Sequence, residues 1–303
     1  MKRYEYKIVS KKQDNQITIQ NLSCFLLHKM GNSASIHNYI SIEIIGRGSF
    51  GEVHKVKNKE TNEIYAIKVL HTEFNKNLDN YMKALNNEIE IYSKLNHPCI
   101  LPFIGASYFS FNDELRPAIV VKYAVNGSLD HLLEYGKQYE RIPFWDNTKI
   151  LCCIYGISSA MSYLHSQGII HYDLKPSNIL LDEFLQPLVS DLGISRILDD
   201  KKGSLPASTL SGTVFYTAPE IWEENEITTA CDVYSFAFLL YSLFKNEEPF
   251  KNYNQYKYFI NVIQNGEKPI LDSKIPVPFH DLIKRCWEHE PSKRPKFNQI
   301  VSE

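Results

Sequence analysis

Between residues 42 and 121 short β-branched stretches alternate with polar turns. Ile42-Glu43-Ile44-Ile45 and the runs at 64–69 and 118–121 are separated by segments such as Asn58-Lys59-Glu60-Thr61-Asn62. This pattern predicts a small antiparallel sheet. One helix interrupts it, because Met82, Leu85, Ile89 and Tyr92 recur at spacings of three and four and so share a face. Glu88 lies on that same stripe, whereas Glu90 is turned away by about 200°. An inward carboxylate needs a cation.

After Asn126-Gly127 the period lengthens. Ile150, Ile154, Ile157, Met161 and Leu164 follow one another by four, three, four and three, and Gly168 supplies a helix stop. The longest apolar run, residues 234–244, is interrupted by Ser235 and Ser242 and falls short of the ~20 residues that span a bilayer, so it reads as a buried helix. The chain is therefore expected to be α+β, a sheet-rich first part followed by a mainly helical second part. Residues 1–41 form a polar extension in which Leu22, Phe25, Leu26 and Met30 make at most one short amphipathic helix.

Composition narrows the function classes. At 303 residues, with 44% hydrophobic and 22% charged residues and a net charge of −2, the chain has neither the basic excess of a nucleic-acid binder nor the acidic bias of a disordered tail. Its six cysteines form no C-x-x-C pair, and Cys152 and Cys153 are adjacent, which suits a reducing interior. The start, Met1-Lys2-Arg3-Tyr4-Glu5, lacks the apolar core of a secretory signal, and a cytoplasmic protein is expected.

Chemistry enters with Ile45-Gly46-Arg47-Gly48-Ser49-Phe50-Gly51-Glu52-Val53, a G-x-G-x-x-G-x-V segment whose glycines let backbone amides approach phosphate oxygens. A dinucleotide fold would begin a helix here, but Val53, Val56 and the polar turn at 58–62 continue as strand and hairpin. In Ala66-Ile67-Lys68 a lysine sits within an apolar run, where its charge is costly without partners. Phosphate and Glu88 would supply them. Further on come His171-Tyr172-Asp173-Leu174-Lys175-Pro176-Ser177-Asn178, then Asp191-Leu192-Gly193, then Ala218-Pro219-Glu220.

In this order, these motifs resemble the protein kinase superfamily from about residue 42 to the end, with the flavour of its tyrosine-kinase-like group. The resemblance implies a two-lobed fold: an N-lobe over 42–121, a hinge at 122–126 and a C-lobe over 127–303. It implies transfer of the γ-phosphoryl group of Mg-ATP to protein hydroxyls. Lys68, oriented by Glu88, would hold the α- and β-phosphates, Asp191 and Asn178 would coordinate Mg²⁺, and Asp173 would receive the hydroxyl proton. Ile45, Gly46, Gly48, Ser49 and Gly51 would cover the nucleotide. Adenine would lie between Val53 and Ala66 above and Leu180 below, against Lys122 and Ala124 of the hinge, with Val121 restricting the pocket. Lys175 and a bracing Thr213 resemble the serine/threonine pattern. Glu220 would pair with Arg294, and Asp232 would bond the catalytic-loop backbone.

Two positions depart from the family. Leu192 replaces the phenylalanine of D-F-G, and Tyr172 replaces the arginine that usually grips an activation-segment phosphate. Alternatives from other classes are a nucleotide-binding pseudokinase or scaffold and a small-molecule phosphotransferase. The partners expected are protein substrates with Ser or Thr acceptors, without nucleic acid or a membrane span, and a regulatory partner through residues 1–41.

Overall fold

The computed structural model describes residues 36–48, 51–70, 89, 91–107, 111, 116–139, 145–192, 196–197, 214–223 and 227–303. Its first part is a five-stranded antiparallel sheet in the order β1-β2-β3-β5-β4. The strands are β1 (Tyr39–Gly48), β2 (Gly51–Asn58), β3 (Ile64–Leu70), β4 (Phe103–Ser107) and β5 (Ala118–Lys122). The polar stretch after β2 turns because Asn58 Oδ1 accepts from the amides of Glu60 and Thr61, at 2.8 and 3.1 Å, while Asn62 adopts φ +62°. In β3 the period-two alternation divides the apolar residues. Ile67 and Val69 pack with Val56, Ala118 and Val120 on one face, and Leu70 packs with Ile89 and Ile119 on the other.

Ile36 and Tyr39 belong to the first of these clusters. Ordered packing therefore begins upstream of the β-branched run at 42–45, and residue 42 falls inside β1. Residues 82, 85 and 88 of the expected inward stripe lie outside the described residues. Ile89 and Tyr92, which are described, are buried.

The second part is helical: α1 (Leu129–Tyr139), α2 (Asn147–Ser166), α3 (Pro219–Trp222), α4 (Ala230–Lys245), α5 (Gln255–Tyr258), α6 (Val277–Cys286) and α7 (Phe297–Ser302). Short antiparallel pairs, β6 (Ile169–Ile170) with β9 (Arg196–Ile197) and β7 (Ile179–Leu181) with β8 (Pro187–Val189), lie between them. Asp146 caps α2 by accepting from the Lys149 amide, Ile154, Ile157, Met161 and Leu164 form its buried stripe, and Gly168 at φ +71° ends it. A Cβ at Gly156 would stand 2.6 Å from Pro187 Cγ, so a bare glycine lets α2 lie against β8.

The run at 234–244 is the middle of α4, which is buried all round from Cys231 to Leu243. Tyr234, Phe236 and Phe238 are fully enclosed, and burying each is worth about 1.5–3 kcal/mol. The two serines fasten the helix. Ser235 donates to the Tyr216 carbonyl at 2.8 Å, and Ser242 bonds the Tyr216 phenol at 3.1 Å. Among the described residues no helix is long and apolar enough to cross a membrane. The described cysteines, Cys99, Cys152, Cys153, Cys231 and Cys286, are free thiols.

Candidate active site

The roof of the cleft follows from strand register. Gly46 stands opposite Val53, Val53 opposite Lys68, Lys55 opposite Ala66, and Ala66 opposite Val121. Directly opposed residues share a face, so Gly46, Val53, Ala66, Lys68 and Val121 look the same way. Gly48 pairs with Gly51 where β1 turns into β2, and Ile45, just before the turn, is exposed. Gly51 has a packing reason of its own: a Cβ there would fall 2.2 Å from the Val69 carbonyl oxygen. Below, Val121, Ala124 and Leu180 meet in one apolar cluster with Leu101 and Leu188. In the hinge, the Lys122 amide donates to the Pro102 carbonyl at 3.0 Å, which removes it from the donors open to a ligand.

The floor holds the charged groups. Lys68 Nζ reaches across from β3 to Asp191 Oδ1 at 2.8 Å. Burial pushes the Asp191 carboxyl up, but the charge and hydrogen bond of Lys68, helped by His171 and Lys175, hold it below the usual carboxylate range. Asp191 sits at φ +59°, sparsely populated for a residue with a side chain. Asp173 Oδ2 receives Lys175 Nζ at 2.7 Å and Asn178 Nδ2 at 2.9 Å, and Asn178 Nδ2 also bonds the Asp173 carbonyl at 2.7 Å. Asn178 thus turns its nitrogen to Asp173, and its oxygen is the atom left to act as a ligand.

A second layer fixes that loop. Asp232, at the start of α4 and fully buried, accepts from the amides of His171 and Tyr172 at 2.9 Å each and bonds His165 Nε2 at 2.8 Å. Burial raises the Asp232 carboxyl, but His165, His171 and these bonds outweigh it and keep it below the usual range. Tyr172 adopts φ +68° in this grip. His171 Nε2 bonds the Ser190 carbonyl at 3.0 Å, and its Nδ1 accepts from the Asp173 amide at 3.2 Å. Ser190 returns both its amide and its hydroxyl to the Asn178 carbonyl, each at 2.9 Å. The loop bearing Asp173 and the strand leading to Asp191 are therefore one hydrogen-bonded unit.

Farther from the cleft, Glu220 and Arg294 pair bidentately at 2.6 and 2.9 Å, both buried. Arg294 also donates to the carbonyls of Glu288, Ala230 and His289, so all five of its N–H groups are engaged. A profile of the protein kinase domain matches residues 39–303. The chain belongs to the protein kinase family.

Curated kinases share its sequence along most of its length. A probable serine/threonine-protein kinase of Dictyostelium discoideum is 32% identical over 90% of this chain and 20% of its own length. The dual specificity protein kinase shkC of the same organism is 30% identical over 86% of this chain and 49% of its own. A putative serine/threonine-protein kinase/receptor of Acanthamoeba polyphaga mimivirus is 33% identical over 88% of this chain and 15% of its own. The chain thus spans less than half the length of each of these relatives.

Membership in this family implies ATP and a divalent metal ion as participants. The donor set suits such a cation, since the Asp191 carboxylate and the Asn178 amide oxygen are hard oxygen ligands. Of the expected kinase residues, Glu88, Thr213 and Ser49 lie outside the described residues. Leu192, in place of phenylalanine, is fully buried, and its amide donates to the Tyr92 phenol at 3.4 Å. His165 and Ser190 escape sequence reading, because nothing in their spacing marks them as supports of the loop.

Proposed function

We propose that this kinase domain transfers the γ-phosphoryl group of Mg-ATP to serine and threonine hydroxyls of proteins. The observation that carries this reading is Asp173 with Lys175 and Asn178 both on its carboxylate, within 2.9 Å. In that arrangement Asp173 accepts the proton of the acceptor hydroxyl, and Lys175 neutralises charge that builds beside it. Lys68 leaves Asp191 to hold the α- and β-phosphates, with Glu88 as its orienting carboxylate. Asp191 and Asn178 Oδ1 are then the Mg²⁺ ligands, and Thr213 braces Asp173 and Lys175. Bound Mg-ATP supplies the phosphoryl group and the metal charge that offsets its oxygens.

Ile45, Gly46, Gly48, Ser49 and Gly51 form the cover of the nucleotide. Val53 and Ala66 pack above adenine and Leu180 below, Val121 limits the depth of the pocket, and the hinge donor is the Ala124 amide rather than that of Lys122. Lys175 in the catalytic loop favours Ser/Thr acceptors, although relatives of this chain bear dual-specificity names.

The test is to incubate the purified chain with labelled ATP, Mg²⁺ and a generic protein acceptor and to identify the modified residues by mass spectrometry. Phosphoserine and phosphothreonine are expected. Mainly phosphotyrosine would overturn the acceptor assignment, and nucleotide binding without transfer would favour a scaffold.

A further inference from the structure

The residues that offer oxygen to a cation, Asn178 and Asp191, come from separate segments, and Ser190 joins them. Its amide and its hydroxyl both donate to the Asn178 carbonyl, each at 2.9 Å, so both lone pairs of that oxygen go to one residue. The amide bond continues the pairing of β7 with β8, beside Ile179 opposite Val189, and any residue except proline supplies it. The hydroxyl is what the pairing does not require. One bond sets a distance, whereas a second, arriving from a side chain, also sets the tilt of the Asn178 peptide. The other end of Asn178 is held as well, since its Nδ2 donates to the Asp173 carbonyl at 2.7 Å and to Asp173 Oδ2 at 2.9 Å. Ser190 and Asn178 are both buried, where losing a donor costs more than it does in solvent.

We propose that the Ser190 hydroxyl fixes the spacing between Asp191 and the Asn178 side-chain oxygen, and thereby makes this kinase prefer Mg²⁺ to the larger Ca²⁺, a role that rests on the metal ligands proposed above. Ser190 is a positioning residue, acting through its two neighbours rather than on the ion. Asp191 follows it directly, at φ +59° and with its carboxylate drawn to Lys68 at 2.8 Å, while the Ser190 carbonyl is bonded by His171 Nε2 at 3.0 Å. Little freedom is left between the two oxygens. Mg²⁺ demands near-octahedral oxygen at about 2.1 Å, whereas Ca²⁺ accepts about 2.3–2.6 Å in irregular shells. A fixed spacing favours the ion that demands one, and a loosened spacing costs that ion first.

Titration of a fluorescent ATP analogue into the full chain tests this, without acceptor and with the nucleotide saturated by Mg²⁺, saturated by Ca²⁺ or stripped of metal by EDTA. Ser190→Ala removes the hydroxyl, Ser190→Cys fills its place with a weak donor, and Ser190→Thr retains it. The alanine and cysteine variants are expected to lower the Mg²⁺-to-Ca²⁺ affinity ratio about tenfold, through weaker binding of the Mg²⁺ complex, with affinity in EDTA unchanged. The threonine variant should keep the wild-type ratio. An unchanged ratio in the alanine and cysteine variants overturns the proposal. So does equal weakening in all three conditions, which would make Ser190 a contact of the nucleotide or a support of the fold. A threonine variant that behaves as alanine does would assign the effect to side-chain volume and overturn it too. If wild-type affinity ignores both cations, the metal assignment of Asp191 and Asn178 falls, and this proposal falls with it.

Discussion

The two sides of the cleft are held by different physics. The floor rests on buried polar bonds: Asp232 gathers His165, His171 and Tyr172, and Glu220 meets an arginine whose every donor is engaged. The roof rests on strand pairing near an edge, where the pair Glu43–Lys55 is 3.2 Å long and lies in solvent. Both sides contain carboxylate–cation pairs of similar length, yet only the buried ones cannot trade their partner for water. Removing one member of a buried pair strands a charge, whereas removing an exposed one returns its partner to solvation. Position, more than the presence of an ion pair, decides which contacts fix the site.

The comparison breaks most sharply at the floor. Asp173→Asn is expected to lower turnover by at least about 10²–10⁴-fold while nucleotide affinity stays near that of the wild type. Single-turnover transfer alongside fluorescent-nucleotide titration checks this, and wild-type turnover would remove Asp173 from its proposed role. Next in size, Arg294→Met should cost about 3–5 kcal/mol in urea unfolding, because Glu220 is left buried and unpaired. A loss within the noise of the midpoint would mean that water reaches Glu220 freely.

Lys268 offers a subtler probe of the same region. Its ammonium lies 5.0 Å above the Tyr234 ring, which also stacks under Arg294 at 4.9 Å, and burial with the nearby Arg294 charge lowers it to about 8. The unfolded chain keeps this proton up to a higher pH than the folded one, so its contribution to stability rises between about pH 8 and 10.5. Relative to Lys268→Met, the wild type should gain about 1–3 kcal/mol across that window, measured as the difference between the two pH profiles. A flat difference would show the ammonium to be well solvated. Smallest of all, Glu43→Gln in the roof should leave the urea midpoint unchanged within error, and a clear loss there would erase the contrast between the two sides.

Much of this was legible from periodicity. The spacing from Ile150 to Leu164 marks α2, and the serine-broken run at 234–244 marks a buried helix, because both signals follow from which face meets the core. The motif order carries Asp173, Asn178 and Asp191 to one floor and Lys68 to the roof above it. Contacts between residues far apart in sequence are a different matter. His165 reaching Asp232, and Ser190 holding the Asn178 carbonyl, depend on how α2, α4 and β8 pack, and no local pattern encodes that. Tyr39 and Ile36 were hidden for another reason: an aromatic and a lone isoleucine beside polar residues do not alternate long enough to announce a strand.

Gly51 separates two kinds of inheritance. The Val69 carbonyl oxygen, 2.2 Å from where a Cβ would sit, forbids any side chain there whether or not a nucleotide is ever bound. Gly48 meets no such obstacle, and at Gly46 a Cβ would make ordinary contact with Val53 at 3.6 Å. A descendant that lost its chemistry would be free to drift at 46 and 48 while 51 stayed glycine. In lineages of this domain, the first two glycines would record selection for the ligand, and the third would record only the survival of the sheet.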